Sequence, residues 1–354
     1  MSVTDSFRKV FEKTAEGTGA APARVNLIGE HVDYNGGKVL PAALTNHVSV
    51  ALAENTSKTH TIISDRFEGA VTRTIADNAN GHWSDYIVGA LQHSAKLGWG
   101  SQGFDIYVAS GIPPGAGISS SAALITAVFR AAMDRKDAEI SAVDTALEAR
   151  KVENAYIGVP CGIMDQMAVG MLQPGEALAL DTASMDTEVM EIPSGWTFVT
   201  LHSGINRALT DGRYKTRFQE CASATAELGA NWLCQLTDEQ ISRIPELNAD
   251  LAARARHVVS EHRRTNWAIG AMRADDMDTF GRLMRESHRS YSEDFDASTP
   301  EIDALVKSAE ELGAIGSRLT GGGFGGCFVS LVPGNSAEDW KADMLSRHPG
   351  IWAI

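Results

Sequence analysis

At 354 residues the chain exceeds what one simple core organises, and two domains are expected. An apolar fraction of 44% with 21% charged residues excludes wholesale disorder, and a formal charge of −14 excludes an electrostatic footprint for nucleic-acid phosphates. No apolar run approaches the ~18 residues of a membrane-spanning helix. The opening MSVTDSFRKVFEKTAEGTG has no apolar stretch of secretory type, so a cytoplasmic protein is expected. The four cysteines, Cys161, Cys221, Cys234 and Cys327, show neither C-x-x-C pairing nor metal-type spacing and read as small buried hydrophobes.

Along the chain, the first stretch with chemical content is RVNLIGEHVDYNGGKVLP at 24–41. Arg24, Glu30, His31 and Asp33 fall within ten positions, around Gly29 and ahead of Gly36 and Gly37. Such a set suits a polyhydroxylated ligand, because every buried sugar hydroxyl needs a hydrogen-bond partner. A His/Asp metal cluster and a solvated polar turn are the competing readings, although E-H-x-D lacks the paired histidines of a zincin helix.

Farther on, FDIYVAS alternates Phe104, Ile106 and Val108 on one face and predicts a strand. SAALITAVFRAAM is apolar on nearly every side until Arg130 and predicts a buried helix. Between them GIPPGAGISSSAAL, at 111–124, is a strand-to-helix loop carrying Gly115, Gly117, Ser119, Ser120 and Ser121. It brings hydroxyls and backbone N–H groups to a helix N-terminus, where the helix dipole favours an anion. The lysine of a Walker-type loop is missing. A plain N-cap on Ser119 or Ser120 is the structural alternative, but a cap needs one serine and no PPGAG before it.

A second helix is predicted from about Ser141 to Tyr156, with Val143 and Leu147 at helical spacing and Gly158 and Pro160 where it should stop. In the PCGIMDQ that follows, Asp165 is the one carboxylate of an apolar segment, either a base or an N-cap. Near the C-terminus, SRLTGGGFGGCFVSLV at 317–332 predicts two short strands joined by a glycine turn.

RVNLIGEHVDYNGGKVLPAAL, PPGAGISSSAAL, GVPCGIMDQ and LTGGGFGGCFV stand in the order and approximate spacing of the galactokinase family. That family lies within the superfamily of galactokinase, homoserine kinase, mevalonate kinase and phosphomevalonate kinase, and the chain resembles it over roughly 21–331. The resemblance implies an α+β protein of two domains. A ribosomal protein S5 domain 2-like domain over 1–178 would precede a ferredoxin-like domain over 179–354. It implies transfer of the γ-phosphoryl group of ATP to the anomeric hydroxyl of galactose, with Mg²⁺ as cofactor.

By the same resemblance the sugar ligands are Glu30, His31, Asp33, Gly162, Asp165 and Tyr214, and the catalytic pair is Asp165 with Arg24. Gly115, Gly117, Ser119, Ser120 and Ser121 would hold the nucleotide phosphates. Ser121 and Glu153 would ligate Mg²⁺, and Trp83 would pack near adenine, where a core tryptophan is the alternative. The partners implied are galactose and ATP, with no nucleic acid, no membrane and no second subunit. Kinases of N-acetylgalactosamine, galacturonate or arabinose, and a non-catalytic galactose sensor, are the rival readings; the intact serine–alanine loop at 119–123 favours turnover. The chain departs from the family pattern at Ala23, Val32, Met167 and Thr299, and at Ala208, where a histidine is usual.

Overall fold

The structure, a computed structural model, describes residues 1–100, 103–205 and 212–354. Ala208 therefore lies outside the described residues. Two compact units divide the chain: Met1–Arg24, Ala43–Pro114 and Ser119–Pro174 form the first, and Val25–Ala42, Gly115–Ile118 and Gly175–Ile354 the second. The crossing nearest the boundary expected at 178 falls between Pro174 and Gly175, and two earlier excursions, at 25–42 and 115–118, belong to the second unit. A backbone carbonyl of each is met there: Thr320 Oγ1 donates to the Asn26 carbonyl at 2.8 Å, and Cys327 Sγ to that of Ala116 at 3.1 Å.

In chain order the elements begin with helix α1 (Val3–Phe11), strands β1 (Gly17–Asn26), β2 (Lys38–Val39), β3 (Pro41–Glu54), β4 (His60–Ser64) and β5 (Val71–Arg73), helix α2 (Asp85–Lys96) and strand β6 (Phe104–Ser110). Helices α3 (Ser120–Lys136), α4 (Ala142–Lys151) and α5 (Met164–Met171) follow, then strands β7 (Glu176–Asp181), β8 (Thr187–Glu191) and β9 (Trp196–His202). Next come helices α6 (Arg213–Glu227), α7 (Asp238–Ser242), α8 (Ala249–Arg273), α9 (Met277–Glu293) and α10 (Pro300–Glu311). Strands β10 (Gly316–Leu319) and β11 (Cys327–Pro333), helix α11 (Ala337–Arg347) and strand β12 (Trp352–Ala353) complete the fold. This is the α+β content expected.

In the first unit β3 runs antiparallel to β6, with Val50 opposite Val108 and Leu52 opposite Ile106. All four are buried, so the alternation read at 104–108 is the core face of β6. β6 pairs in parallel with β4, a connection that requires a crossover, here made through β5 and α2. Helix α3 buries residues on nearly every side, from Ala122 to Ala132, as its composition indicated. It lies so close to β1 that a Cβ built on Gly19 would fall 2.2 Å from the Ala127 carbonyl oxygen, a spacing only glycine permits.

The helix read as running from Ser141 to Tyr156 is two pieces. Ser141 caps α4, which ends at Lys151, and Val152–Ile157 is a π-helical turn closed by Gly158 at φ 82°. Leu147 is on the exposed side, while Thr145, Ala146 and Ala149 face inward, because small residues let α4 approach α3 and α5.

In the second unit β10, β11, β9 and β12 form an antiparallel sheet, and the two strands expected at 317–332 are β10 and β11. The turn between them requires glycine: Gly321, Gly323, Gly325 and Gly326 have φ of 78°, 83°, 140° and 83°. Helix α8 packs on α9, and α9 and α10 on β10. Thr299 caps α10 by accepting from the Ile302 N–H. Cys221 and Cys327 are buried as expected, but Cys161 and Cys234 are only partly so. Among the described residues no helix is long and apolar enough to cross a membrane.

Candidate active site

In the first unit Arg24, at the end of β1, and Asp165, in the first turn of α5, meet across 141 residues of sequence. Arg24 Nε and Nη2 both donate to Asp165 Oδ1, at 2.9 and 2.7 Å. The other oxygen, Oδ2, accepts from Ser119 Oγ at 2.6 Å. Arg24 is buried, its side chain 6% exposed, whereas that of Asp165 is 32% exposed; the carboxylate is thus gripped from behind and open in front. Asp165 is not an N-cap, since Ile163 occupies that position on α5.

Ser119 is the N-cap of α3 by position, at φ 63° and ψ 40°, but its side chain makes no capping bond. A left-handed serine is strained backbone, held here by the bond that its hydroxyl makes to Asp165. The loop before it turns through Gly115 at φ 74° and Gly117 at φ 75°. The α3 N-terminus adds the backbone donors that an α-helix leaves without an intrahelical acceptor.

Two residues into α3, Ser121 Oγ donates to Glu153 Oε1 at 2.7 Å, and Gln166 Nε2 donates to Glu153 Oε2. The π-helical turn sets Glu153 off the line that an unbroken helix would have taken. Burial pushes the Glu153 carboxyl up, against the bond from Ser121 and with the help of the Asp165 charge. An acid so placed gains from a cation. Because the Ser121 proton is spent on Glu153, the serine oxygen keeps lone pairs for one, and a hydroxyl and a carboxylate are the hard oxygens Mg²⁺ takes. Among the described residues no cluster of three or more His, Cys, Asp or Glu could hold a metal.

Gly162 is buried three residues before Asp165. Trp83 is half-buried and stacks on the exposed ring of Phe67, centroids 4.9 Å apart at 15°, and is therefore not a core tryptophan. Its loop is pinned by Asp85 Oδ2, which accepts the backbone N–H groups of Asn80, Gly81 and His82.

In the second unit Glu30 and His31 are buried, 1% and 5% exposed, which removes the solvated-turn reading; Asp33 is half-buried at the head of the turn Asp33–Asn35. Glu30 Oε1 accepts from the Gly321 N–H at 2.8 Å and lies 3.1 Å from Thr320 Oγ1, and Oε2 pairs with Arg318. Burial drives the Glu30 carboxyl up against the pull of Arg318 and the Gly321 N–H. Behind it Glu261 accepts from Arg264 at 2.8 Å, Ser287 at 2.6 Å and the Gly29 N–H at 2.9 Å. Burial alone would raise Glu261, but the charges of Arg264 and Arg318 hold it at about 2. The His31 ring lies 5.4 Å from that of Tyr214, near the start of α6.

The sequence therefore marked Arg24, Asp165, Ser119, Ser121 and Glu153, which the fold brings together in pairs and threes. It missed the partners that fix Glu30. Arg318 was visible as the one charged residue of the stretch 317–332, a signal that a buried ion pair was waiting for it.

Family models match three segments: the galactokinase galactose-binding signature at residues 5–54, the N-terminal domain of GHMP kinases at 85–172, and their C-terminal domain at 268–348. A galactokinase of Lactococcus lactis, solved with galactose, superposes with a TM-score of 0.92 at 29% identity, over 99% of this chain and 96% of that one. A mevalonate kinase of Methanococcus jannaschii shares the fold at a TM-score of 0.70 and 17% identity, over 95% and 96% of the two chains. So does a Streptococcus pneumoniae phosphomevalonate kinase, at 0.69 and 12%, over 95% and 98%. The chain is a two-domain small-molecule kinase of the GHMP fold. Within that fold it belongs to the galactokinase family.

Proposed function

We propose that the protein transfers the γ-phosphoryl group of ATP to the anomeric hydroxyl of galactose, giving galactose 1-phosphate. The observation that carries this reading is the fixed, outward-facing Asp165 carboxylate, in a chain that bears the galactose-binding signature. Phosphoryl transfer demands in-line positioning and charge stabilisation more than covalent chemistry.

Asp165 orients the sugar hydroxyl and takes its proton as the phosphoryl group arrives. Arg24 and Ser119 hold the carboxylate in one rotamer, and the guanidinium offsets the negative charge that converges there. Glu30, held by the Gly321 N–H and by Arg318, keeps carboxylate lone pairs for a sugar hydroxyl. His31, Asp33, Gly162 and Tyr214 complete the sugar ligands. Gly115, Gly117, Ser119, Ser120 and Ser121 serve the nucleotide phosphates through the backbone N–H groups of their loop and helix start, and Trp83 packs near adenine. Ser121 and Glu153 would hold Mg²⁺, which when bound supplies positive charge to the phosphate oxygens.

The first unit, a mixed sheet with helices α2–α5, is read as ribosomal protein S5 domain 2-like. The second, whose antiparallel sheet is backed by helices, is read as ferredoxin-like. The protein is proposed to act as a cytoplasmic monomer.

Release of ADP from ATP and Mg²⁺, followed with a panel of sugars, tests the assignment. Galactose should give the highest kcat/KM; a higher value for N-acetylgalactosamine, galacturonate or arabinose would replace it with that sugar. No ADP release with any of them would leave a sensor.

A further inference from the structure

His31 stands in left-handed backbone, at φ 61°, and is 5% exposed. Its carbonyl accepts from Asn35 Nδ2 at 2.7 Å. Both ring nitrogens face phenols: Nδ1 lies 2.6 Å from Tyr34 Oη and Nε2 lies 3.0 Å from Tyr291 Oη. Tyr291, on α9, is wholly buried, and its hydroxyl is also 2.7 Å from the carbonyl oxygen of Gly321 in the turn after β10.

One arrangement of protons satisfies all three distances together. A carbonyl oxygen can only accept, so the Tyr291 proton points at Gly321. The Tyr291 oxygen must then accept from His31, which places a hydrogen on Nε2. A neutral imidazole with hydrogen on Nε2 has its lone pair on Nδ1, and that lone pair accepts the Tyr34 proton. Burial drives the Tyr34 phenol well above its usual range, so the proton is there to give. The hydrogen bonds therefore run in one direction, Tyr34 to His31 to Tyr291 to Gly321. The glycine turn makes room for this, since a Cβ built on Gly323 would fall 2.8 Å from Tyr291 Oη.

We propose that Tyr291 is a positioning residue for sugar recognition: it locks His31 as the neutral Nε2–H tautomer and thereby fixes the ring that faces Tyr214. This deepens the reading of His31 as part of the sugar site and rests on it. Tyr291 lies outside every motif that marked the site in the sequence, and it acts through His31.

Two measurements on the full chain test this. Long-range ¹H–¹⁵N spectra of imidazole-labelled wild-type protein at pH 7 should show His31 protonated on Nε2 alone; an Nδ1–H tautomer or an imidazolium there overturns the proposal without any variant. Tyr291→Phe keeps the ring and removes the acceptor. It should move the His31 hydrogen to Nδ1, raise the KM for galactose about tenfold, and leave the KM for ATP and kcat within about twofold, since a buried donor loses its partner. A galactose KM unchanged in that variant, or galactose and ATP KM values that rise together, would reduce Tyr291 to a packing residue. Wild-type turnover of galactose tests the kinase reading separately, because the tautomer is read whether or not the sugar reacts.

Discussion

At the scale of single residues, the site depends on carboxylates held by specific donors. Asp165 has one oxygen on Arg24 and the other on Ser119, so its freedom is spent before any substrate arrives. Asp165→Asn preserves shape and one acceptor oxygen but cannot take a proton. Its kcat should fall by about 10²–10⁴-fold, the usual worth of a general base, with the KM for ATP nearly unchanged. A folded variant with near-normal kcat would remove the base assignment. The sequence made Asp165 visible as an isolated carboxylate but could not choose between base and N-cap. The N-cap reading is removed by Ile163 taking the cap, and the carboxylate is paired by Arg24 arriving from a distant strand, neither of which is local.

Among the elements, α3 carries most of the proposed nucleotide side, presenting Ser119 and Ser121 at its N-terminal end. Its placement is set from behind by β1, where Gly17 and Gly19 press their backbones on the helix. A methyl at Gly19 meets carbonyl and amide atoms that have no rotamer with which to yield. Gly19→Ala should therefore destabilise the fold by roughly 1–3 kcal/mol or more. Thermal melting checks this, and an unchanged midpoint would show that the strand and helix separate at little cost. The buried character of α3 was legible from composition, because a helix apolar all round has nowhere else to go. The break between α4 and the π-helical turn was not, because one extra residue in a helical turn leaves no periodic trace over so short a span.

For the whole molecule, buried titrating groups set a pH dependence of stability. Burial lowers His60 in the first unit and His257 in the second to about 4, from an ordinary value of 6.5. Between these values the unfolded chain binds protons that the folded one refuses, so stability present above pH 6.5 is lost as pH falls towards 4. Glu261, at about 2 in the fold against an ordinary 4.5, extends the loss below that window. Glu30 and Glu153, raised by burial, act in the opposite sense. The melting midpoint should decline from pH 7 to pH 4, and His60→Gln should flatten part of that slope. A midpoint constant over the range would contradict both histidine assignments.

By itself the sequence determined the class of chemistry and marked the residues proposed to meet ligands. Glycine turns, serine-rich helix starts and clustered polar residues owe their character to local backbone geometry, which a short stretch of sequence records. Their resemblance to a family then supplied the reaction. Only the tertiary structure decided which donors grip each carboxylate. Arg24 with Asp165, Glu30 with Arg318 and His31 with Tyr291 are 141, 288 and 260 residues apart. Pairing of that kind follows from how strands and helices close on one another, and the desolvated charge or proton at each end has no periodicity to announce its partner.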